Sequence, residues 1–408
     1  MSKKLVIASV PVQAQDCLAT VLFDGQKAVE FSICPEQKHS ILGSIYVGQI
    51  EKIQENINAA FVRIQPHMNG YLSLDDCSHA ILKTRKKTEQ LKAGDELLVQ
   101  VDKEALKQKL PRLTTNLTVS GKYLVLSTGR RSLNFSRKLN AEDKKQLKRL
   151  LSEVYDGNFG VVVRTNAPEA SEEELKTEYK DLREQLDRIC RYGISRSCCS
   201  CLLQSTGEWI GALKQYSFHS LSEVITDHAG VYAEVESYLK KTGSEDQVRL
   251  TLYQDPLLPL RNLYSLNSLM NSLKNQTVWL KSGGFLVIQQ TEAFVVIDVN
   301  TGKYSGSKTT EESFRRINRE AAEEIAVQIR LRQLSGIILV DFINMEQPLY
   351  QKELMEYLQA LVREDPVKTK VVDITRLHIV EMTRQKEKKS FTEQLLAVAG
   401  KERTSDEL

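Results

Sequence analysis

Two apolar runs in the chain each end in an aspartate: Phe294-Val295-Val296-Ile297-Asp298 and Gly336-Ile337-Ile338-Leu339-Val340-Asp341. Two carboxylates brought close repel each other unless a cation neutralises them, and a divalent ion with oxygen ligands is the natural partner. Asn300, two residues past the first aspartate, adds an uncharged amide that can hydrogen-bond to a phosphate or a water. Such a set suits a metal site. A plainer reading stays open at this point, because an aspartate closing a buried strand is often just the turn or N-cap residue of the next element.

The elements that must position these side chains are two strands and the helix between them. A short apolar run, a helix and a second apolar run read as a βαβ unit with two buried parallel strands. Its crossover is expected to be right-handed, and neighbouring strands would bring both aspartates to one edge of the sheet. The helix is predicted to begin near Thr309/Thr310, with Thr309 and Glu312 as a capping box. Phe314, Ile317, Ala321, Ile325 and Ile329 form its apolar stripe, and Gly336 marks its stop. A hairpin, residues 278–280 and 285–289 around Ser282-Gly283-Gly284, is predicted just before it.

Upstream, residues 4–8, 17–22 and 28–33 alternate like a hairpin with a turn at residues 23–26. Short strands at residues 44–53, 59–64, 70–74 and 96–101 suggest a small β-barrel. A basic loop, Lys83, Arg85, Lys86, Lys87 and Lys92, interrupts them. Such a loop is usually only solvated, but on an OB-type barrel it can border an RNA groove. Residues 118–205 are mixed, with strands at 123–126 and 160–164 and helices at 141–155 and 171–190. The second helix opens on Ser171 and Glu174. A more helical stretch follows to about residue 277, with residues 231–240 amphipathic and 248–253 a strand.

With 408 residues the chain exceeds one ordinary domain, and its 41% hydrophobic and 27% charged residues are those of a soluble globular protein. A net charge of +3 is too small to diagnose a polyanion partner, so a nucleic-acid case must rest on local clusters. No apolar stretch approaches the roughly 20 residues of a membrane helix, and the start of the chain only faintly imitates a signal peptide, its apolar part being broken by Ser9 and Pro11. A cytoplasmic protein is expected. Four of the seven cysteines, Cys190, Cys198, Cys199 and Cys201, lie close in sequence, so no disulfide framework suggests itself. Cys198 and Cys201 form a C-x-x-C with no second such pair, which favours reduced thiols partly buried in a strand over a zinc site.

Other chemistries are excluded. Residues 302–309 sit where a P-loop would, but Ser307 separates Gly306 from Lys308, so the required Gly-Lys step is missing. The six histidines are scattered without metal-ligand spacing, and no histidine pair supports metal-free RNA cleavage.

Longer blocks then point to a family. Trp279-Leu280-Lys281-Ser282-Gly283-Gly284, Ile297-Asp298-Val299-Asn300-Thr301-Gly302, Asn318-Arg319-Glu320-Ala321-Ala322-Glu323-Glu324-Ile325-Ala326 and Gly336 to Met345 closely resemble the catalytic core of the ribonuclease E/G family. The resemblance runs over essentially the whole chain. It implies a multidomain α/β fold: an RNase H-like subdomain split between 1–37 and 208–277, an S1 (OB-type) β-barrel at 38–117, a 5′-sensor at 118–207, and a DNase I-like catalytic subdomain at 278–395 followed by a tail, 396–408.

Residue by residue, the resemblance makes Asp298 and Asp341 magnesium ligands, with manganese a conceivable substitute, and places Asn300 beside the scissile phosphate. Phe61 and Tyr71 fall where S1 aromatics stack on bases. Lys109 matches a basic residue that holds RNA, and Arg376 falls where the family has a further RNA-contacting arginine. Arg164 and Thr165 match the pair that grips a 5′-monophosphate, with Gly121 and Val125 as pocket wall and Arg137 as a helper. The implied activity is magnesium-dependent endonucleolytic hydrolysis of single-stranded RNA, in rRNA processing and mRNA decay, leaving 5′-phosphate and 3′-hydroxyl ends. A barrel-and-sensor RNA-binding protein without catalysis is the alternative, and a metal-dependent DNA nuclease on a similar scaffold is a third reading.

There are departures too. The family's C-P-x-C-x-G zinc link is not found after Gln385, so a zinc-bridged dimer is not expected, although another oligomer stays open. Leu110-Pro111 follow Lys109 where small residues are usual.

Overall fold

The computed structural model describes residues 3–13, 15–36, 40–83, 91–104, 110–216, 220–302 and 310–399. The chain divides into two compact units, Met1–Lys38 with Phe218–Leu408, and His39–Ser217.

The first unit holds two sheets. In one, the antiparallel meander Lys3–Val12, Gln15–Asp24 and Lys27–Pro35 is extended by Leu221–Thr226 and Arg249–Leu252, both added in parallel. Two stretches of chain distant in sequence thus build one sheet. The strands run longer than their alternation predicted, and the first turn shrinks to Gly25 and Gln26 because Phe23 and Asp24 stay in the ladder. Leu221–Thr226 lies in the stretch read as mainly helical. Its neighbouring helices, Glu208–Gln215, Ala229–Lys241 and Leu266–Lys274, dominate the local pattern.

The second sheet carries the aspartates. Its six strands lie in the order Thr277–Trp279, Phe285–Gln290, Phe294–Asn300, Gly336–Asp341, Ile379–Arg384, Thr369–Ile374. Only the third and fourth are parallel to each other, joined by the helix Thr310–Leu331. That helix lays Ile317, Ala321, Ile325 and Ile329 on Val295, Ile297, Val299, Ile338 and Val340. Leu354, Leu358 and Val362 of Pro348–Arg363 complete the same core. Thr309 and its capping box lie outside the described residues.

One expectation is corrected here. The two apolar runs were read as strands buried on both faces, yet only alternate residues are buried. Both helices cover one side of the sheet, and Phe294, Val296 and Ile337 stand on the other at 43, 37 and 44% exposure. Parity therefore puts Asp298 and Asp341 on this open face.

In the second unit, five strands close a barrel: Ile45–Gln54, Ala59–Gln65, Met68–Ser73, Arg112–Thr114 and Glu96–Lys103, the last pairing back to the first. The closing strand Arg112–Thr114 has only three residues and no alternation to reveal it. A Cβ on Gly70 would come within 2.6 Å of the Leu113 side chain, so glycine there lets that strand approach. Most of the basic loop, residues 84–90, lies outside the described residues, as does Lys109. A four-stranded sheet, ordered Leu133–Phe135, Gly160–Val163, Leu124–Ser127, Thr118–Ser120, packs with the helices Ala141–Ser152 and Glu172–Tyr192. The capping box of Ser171 and Glu174 forms as predicted.

None of the seven cysteines forms a disulfide. Cys198 and Cys199 are partly buried as expected but occupy a turn, whereas Cys201 begins a strand and is exposed. Among the described residues no helix is long and apolar enough to cross a membrane.

Candidate active site

Asp298 and Asp341 are direct register partners across the parallel strand pair. Both are exposed. The Asn300 side chain lies on the same face and donates from Nδ2 to Asp298 Oδ2 at 2.8 Å, which fixes the orientation of that carboxylate. Partial burial, and then the neighbouring Asp298 charge, push the Asp341 carboxyl above the usual carboxylate range. A site that resists holding two negative charges unaided is chemically apt for a hard cation. Among the described residues no three His, Cys, Asp or Glu side chains converge into a metal-holding group.

The loops around the pair are tightly built. The turn Lys281–Gly284 closes through Leu280 N–H donating to Gly284 O at 2.8 Å, and it abuts the end of the Asp298 strand. A Cβ on Gly284 would lie 2.8 Å from Asn300 O, and one on Gly302 would collide with Gly283 O. Gly283 and Gly302, with φ of +91° and +57°, supply backbone conformations that other residues rarely adopt. On the far side, the turn carrying the exposed Arg376 leads into Ile379, the antiparallel partner of Asp341. Arg376 thus stands at the same end of the sheet as the aspartates.

In the barrel, Phe61 and Tyr71 are cross-strand partners, half-buried on its outer side, with ring centroids 6.5 Å apart and planes at 79°. Neither ring belongs to the buried core. Arg63, two residues along on the same face, donates to Gln49 Oε1 at 2.5 Å.

The four-stranded sheet gathers the remaining predicted residues at one end. Pairing of Leu124 with Val163, together with Arg164 N–H donating to Tyr123 O, places Gly121 and Val125 beside Arg164 and Thr165. Ser136 N–H donates to Val163 O, and the Ser136 and Thr165 hydroxyls lie 2.8 Å apart, which brings the exposed Arg137 to the same end. Arg164 is half-buried and its Nη1 donates to Lys214 O at 3.1 Å.

Glu178 was not anticipated. Its carboxylate accepts from the backbone N–H groups of Lys122, Tyr123 and Leu124 at 3.1, 2.8 and 2.8 Å, and a Cβ on Gly121 would run into it. Burial pushes its carboxyl up, an effect those amides and Arg164 oppose. In sequence it is one acid among many on a charged helix, distinguished only by standing one residue before the buried Tyr179.

Comparison with known proteins identifies the family. The sequence model of the ribonuclease E/G family matches residues 118–387, about two thirds of the chain. The chain is 31% identical to ribonuclease E of Nostoc sp., over 96% of its own length and 57% of that protein. It is 30% identical to ribonuclease E of Escherichia coli, over 91% of its length and 36% of that protein. Against ribonuclease G of Haemophilus influenzae it is 29% identical, over 89% of its length and 76% of that protein. The chain therefore spans little more than half, or less, of the ribonucleases E it matches. A match of this extent, enclosing both aspartate strands and the helix between them, makes the chain a member of the ribonuclease E/G family.

Proposed function

We propose that the chain is an endoribonuclease that hydrolyses single-stranded RNA, using magnesium held by Asp298 and Asp341. The observation carrying this reading is the direct pairing of the two carboxylates on an open sheet face. Their oxygen donors suit magnesium, with manganese as a workable substitute. When bound, the ion polarises the scissile phosphodiester and lowers the pKa of a water for in-line attack. Asp298 and Asp341 would hold the ion, and Asn300, whose Nδ2 donates to Asp298 Oδ2, would align that carboxylate and hydrogen-bond to the phosphate or the water. The products are a 3′-hydroxyl and a 5′-phosphate.

In this reading the closed barrel is an S1-type domain. Phe61 and Tyr71 stack on unpaired bases, Arg376 and Lys109 hold the backbone, and stacking contributes roughly 1–3 kcal/mol per base. Residues 118–207 form a 5′-sensor in which Arg164, Thr165, Arg137 and the Gly121–Val125 backbone recognise a terminal monophosphate. In this reading the sheet assembled from residues 3–35 and 221–252 is a split RNase H-like subdomain, and the aspartate sheet a DNase I-like one. The cellular role we assign is rRNA processing and mRNA decay in the cytoplasm.

The competing reading, an RNA-binding protein without catalysis, leaves the paired aspartates without a purpose. Cleavage assays on Asp298→Asn and Asp341→Asn decide between them. Loss of cutting with RNA binding retained supports the nuclease, and cutting by either variant refutes the site.

A further inference from the structure

The helix Thr310–Leu331 joins the aspartate strands, and among its polar residues Asn318 and Glu320 bond to backbone outside the helix. An α-helix turns about 100° per residue, so residues two apart reach toward opposite sides. Asn318 is fully buried. Its Nδ2 donates to Ile343 O at 2.7 Å, and its Oδ1 accepts from Ile343 N–H at 3.0 Å. One amide therefore satisfies both backbone groups of a residue only two positions beyond Asp341, at the point where the strand ladder has ended. Glu320 reaches the other way. Its carboxylate accepts from Lys281 N–H at 2.6 Å and from Ser282 N–H at 3.2 Å, pinning the turn whose Gly283 and Gly284 backbone abuts Asn300 and Gly302.

We infer that Asn318 and Glu320 are positioning residues for the metal-binding pair: Asn318 fixes the chain leaving Asp341, and Glu320 fixes the turn that buttresses Asn300 and, through it, the Asp298 carboxylate. This inference rests on the proposed site. Neither side chain is required to touch RNA or metal. Both act from one rigid element, so the spacing of the two halves of the site is set by less than one turn of helix. Buried amides are paired in folded proteins, and a pair that clamps backbone beside a ligand works as an outer-shell support whose loss typically costs 10- to 100-fold in metal affinity or activity.

The Asn318 half is tested with Asn318→Ala and Asn318→Asp, the second retaining the acceptor for Ile343 N–H while losing the donor to Ile343 O. The Glu320 half is tested with Glu320→Ala and Glu320→Gln, the second retaining an acceptor oxygen. Asp341→Asn is the control for the site itself. Three quantities are read on the whole chain: hydrogen exchange of the Ile343 and Lys281–Ser282 amides without metal, the magnesium concentration giving half-maximal cleavage, and RNA affinity in EDTA.

The expected result is faster exchange confined to the amide each alanine variant releases, a half-saturating magnesium concentration raised about 10- to 100-fold, and unchanged RNA affinity. Asn318→Asp and Glu320→Gln should recover part of the loss. If Asn318→Ala fails to fold, Asn318→Leu, which keeps the side-chain volume and removes both hydrogen-bonding atoms, carries the same readings. Released amides with unchanged magnesium dependence, or a loss of RNA affinity equal to the loss of cleavage, would overturn the inference while leaving the site intact. Cleavage that survives in Asp341→Asn would instead overturn the site.

Discussion

Asp298 faces Asp341 directly across the one parallel junction of its sheet, with Asn300 bonded to the first carboxylate. The strand register holds these two like charges side by side, and the Asp298 charge adds to partial burial in raising the Asp341 carboxyl. The arrangement is therefore expected to weaken the protein without metal and to strengthen it with metal.

That expectation has a definite pH signature. Burial and Asp298 raise the Asp341 carboxyl above its unfolded-state value. The native state then holds more protons than the unfolded chain between the two values, so the stability linked to this group falls as pH rises through that window. Without divalent ions, Asp341→Asn should melt higher than wild type at neutral pH, and the gain should vanish below the ordinary carboxylate range. Magnesium should raise the wild-type Tm and leave the variant unmoved. Thermal melts at two pH values, with and without the ion, check this.

The barrel aromatics are half-exposed, so their removal should spare the fold. Phe61→Ala or Tyr71→Ala should weaken binding of a single-stranded oligonucleotide by about 1–3 kcal/mol, roughly 5- to 150-fold, with little change in Tm. Fluorescence anisotropy in EDTA measures it apart from cleavage.

Arg164→Ala should erase any preference for 5′-monophosphate over 5′-hydroxyl RNA. Paired kcat/KM values on the two substrates give the ratio, and an unchanged ratio would remove Arg164 from the sensor.

Stability of the catalytic sheet should depend on a buried ion pair. Arg384, 4% exposed on the strand beside Asp341, donates through Nε to Asp365 Oδ2 at 2.7 Å and through Nη1 to Leu334 O at 3.1 Å. Asp365→Ala leaves a buried guanidinium without its carboxylate and should cost about 3–5 kcal/mol, read by denaturant unfolding.

Much of the site was legible before the fold was known. Two apolar runs, one amphipathic stripe and two terminal aspartates suffice for a βαβ unit, because strand and helix periodicities differ and each leaves its mark. What periodicity could not say is how many faces of the sheet are covered. Val296 and Ile337 are as apolar as Ile297 and Ile338, yet only the second pair meets a helix. The barrel's closing strand is too short to show a pattern, and the strand of residues 221–226 is masked by the helices around it. Asn318, Glu320 and Glu178 escaped for a related reason. Each lies on a helix rich in polar residues, and only tertiary structure shows that its partners are backbone groups from elsewhere in the chain.

The central claim is most directly tested with a labelled A/U-rich single-stranded RNA bearing a 5′-monophosphate, incubated with wild type or Asp298→Asn, in magnesium or in EDTA. The account predicts internal cuts only for wild type with magnesium, while both proteins bind the RNA equally. Cuts that persist in EDTA or in Asp298→Asn, or a folded wild type that binds the RNA and never cuts it, would contradict it.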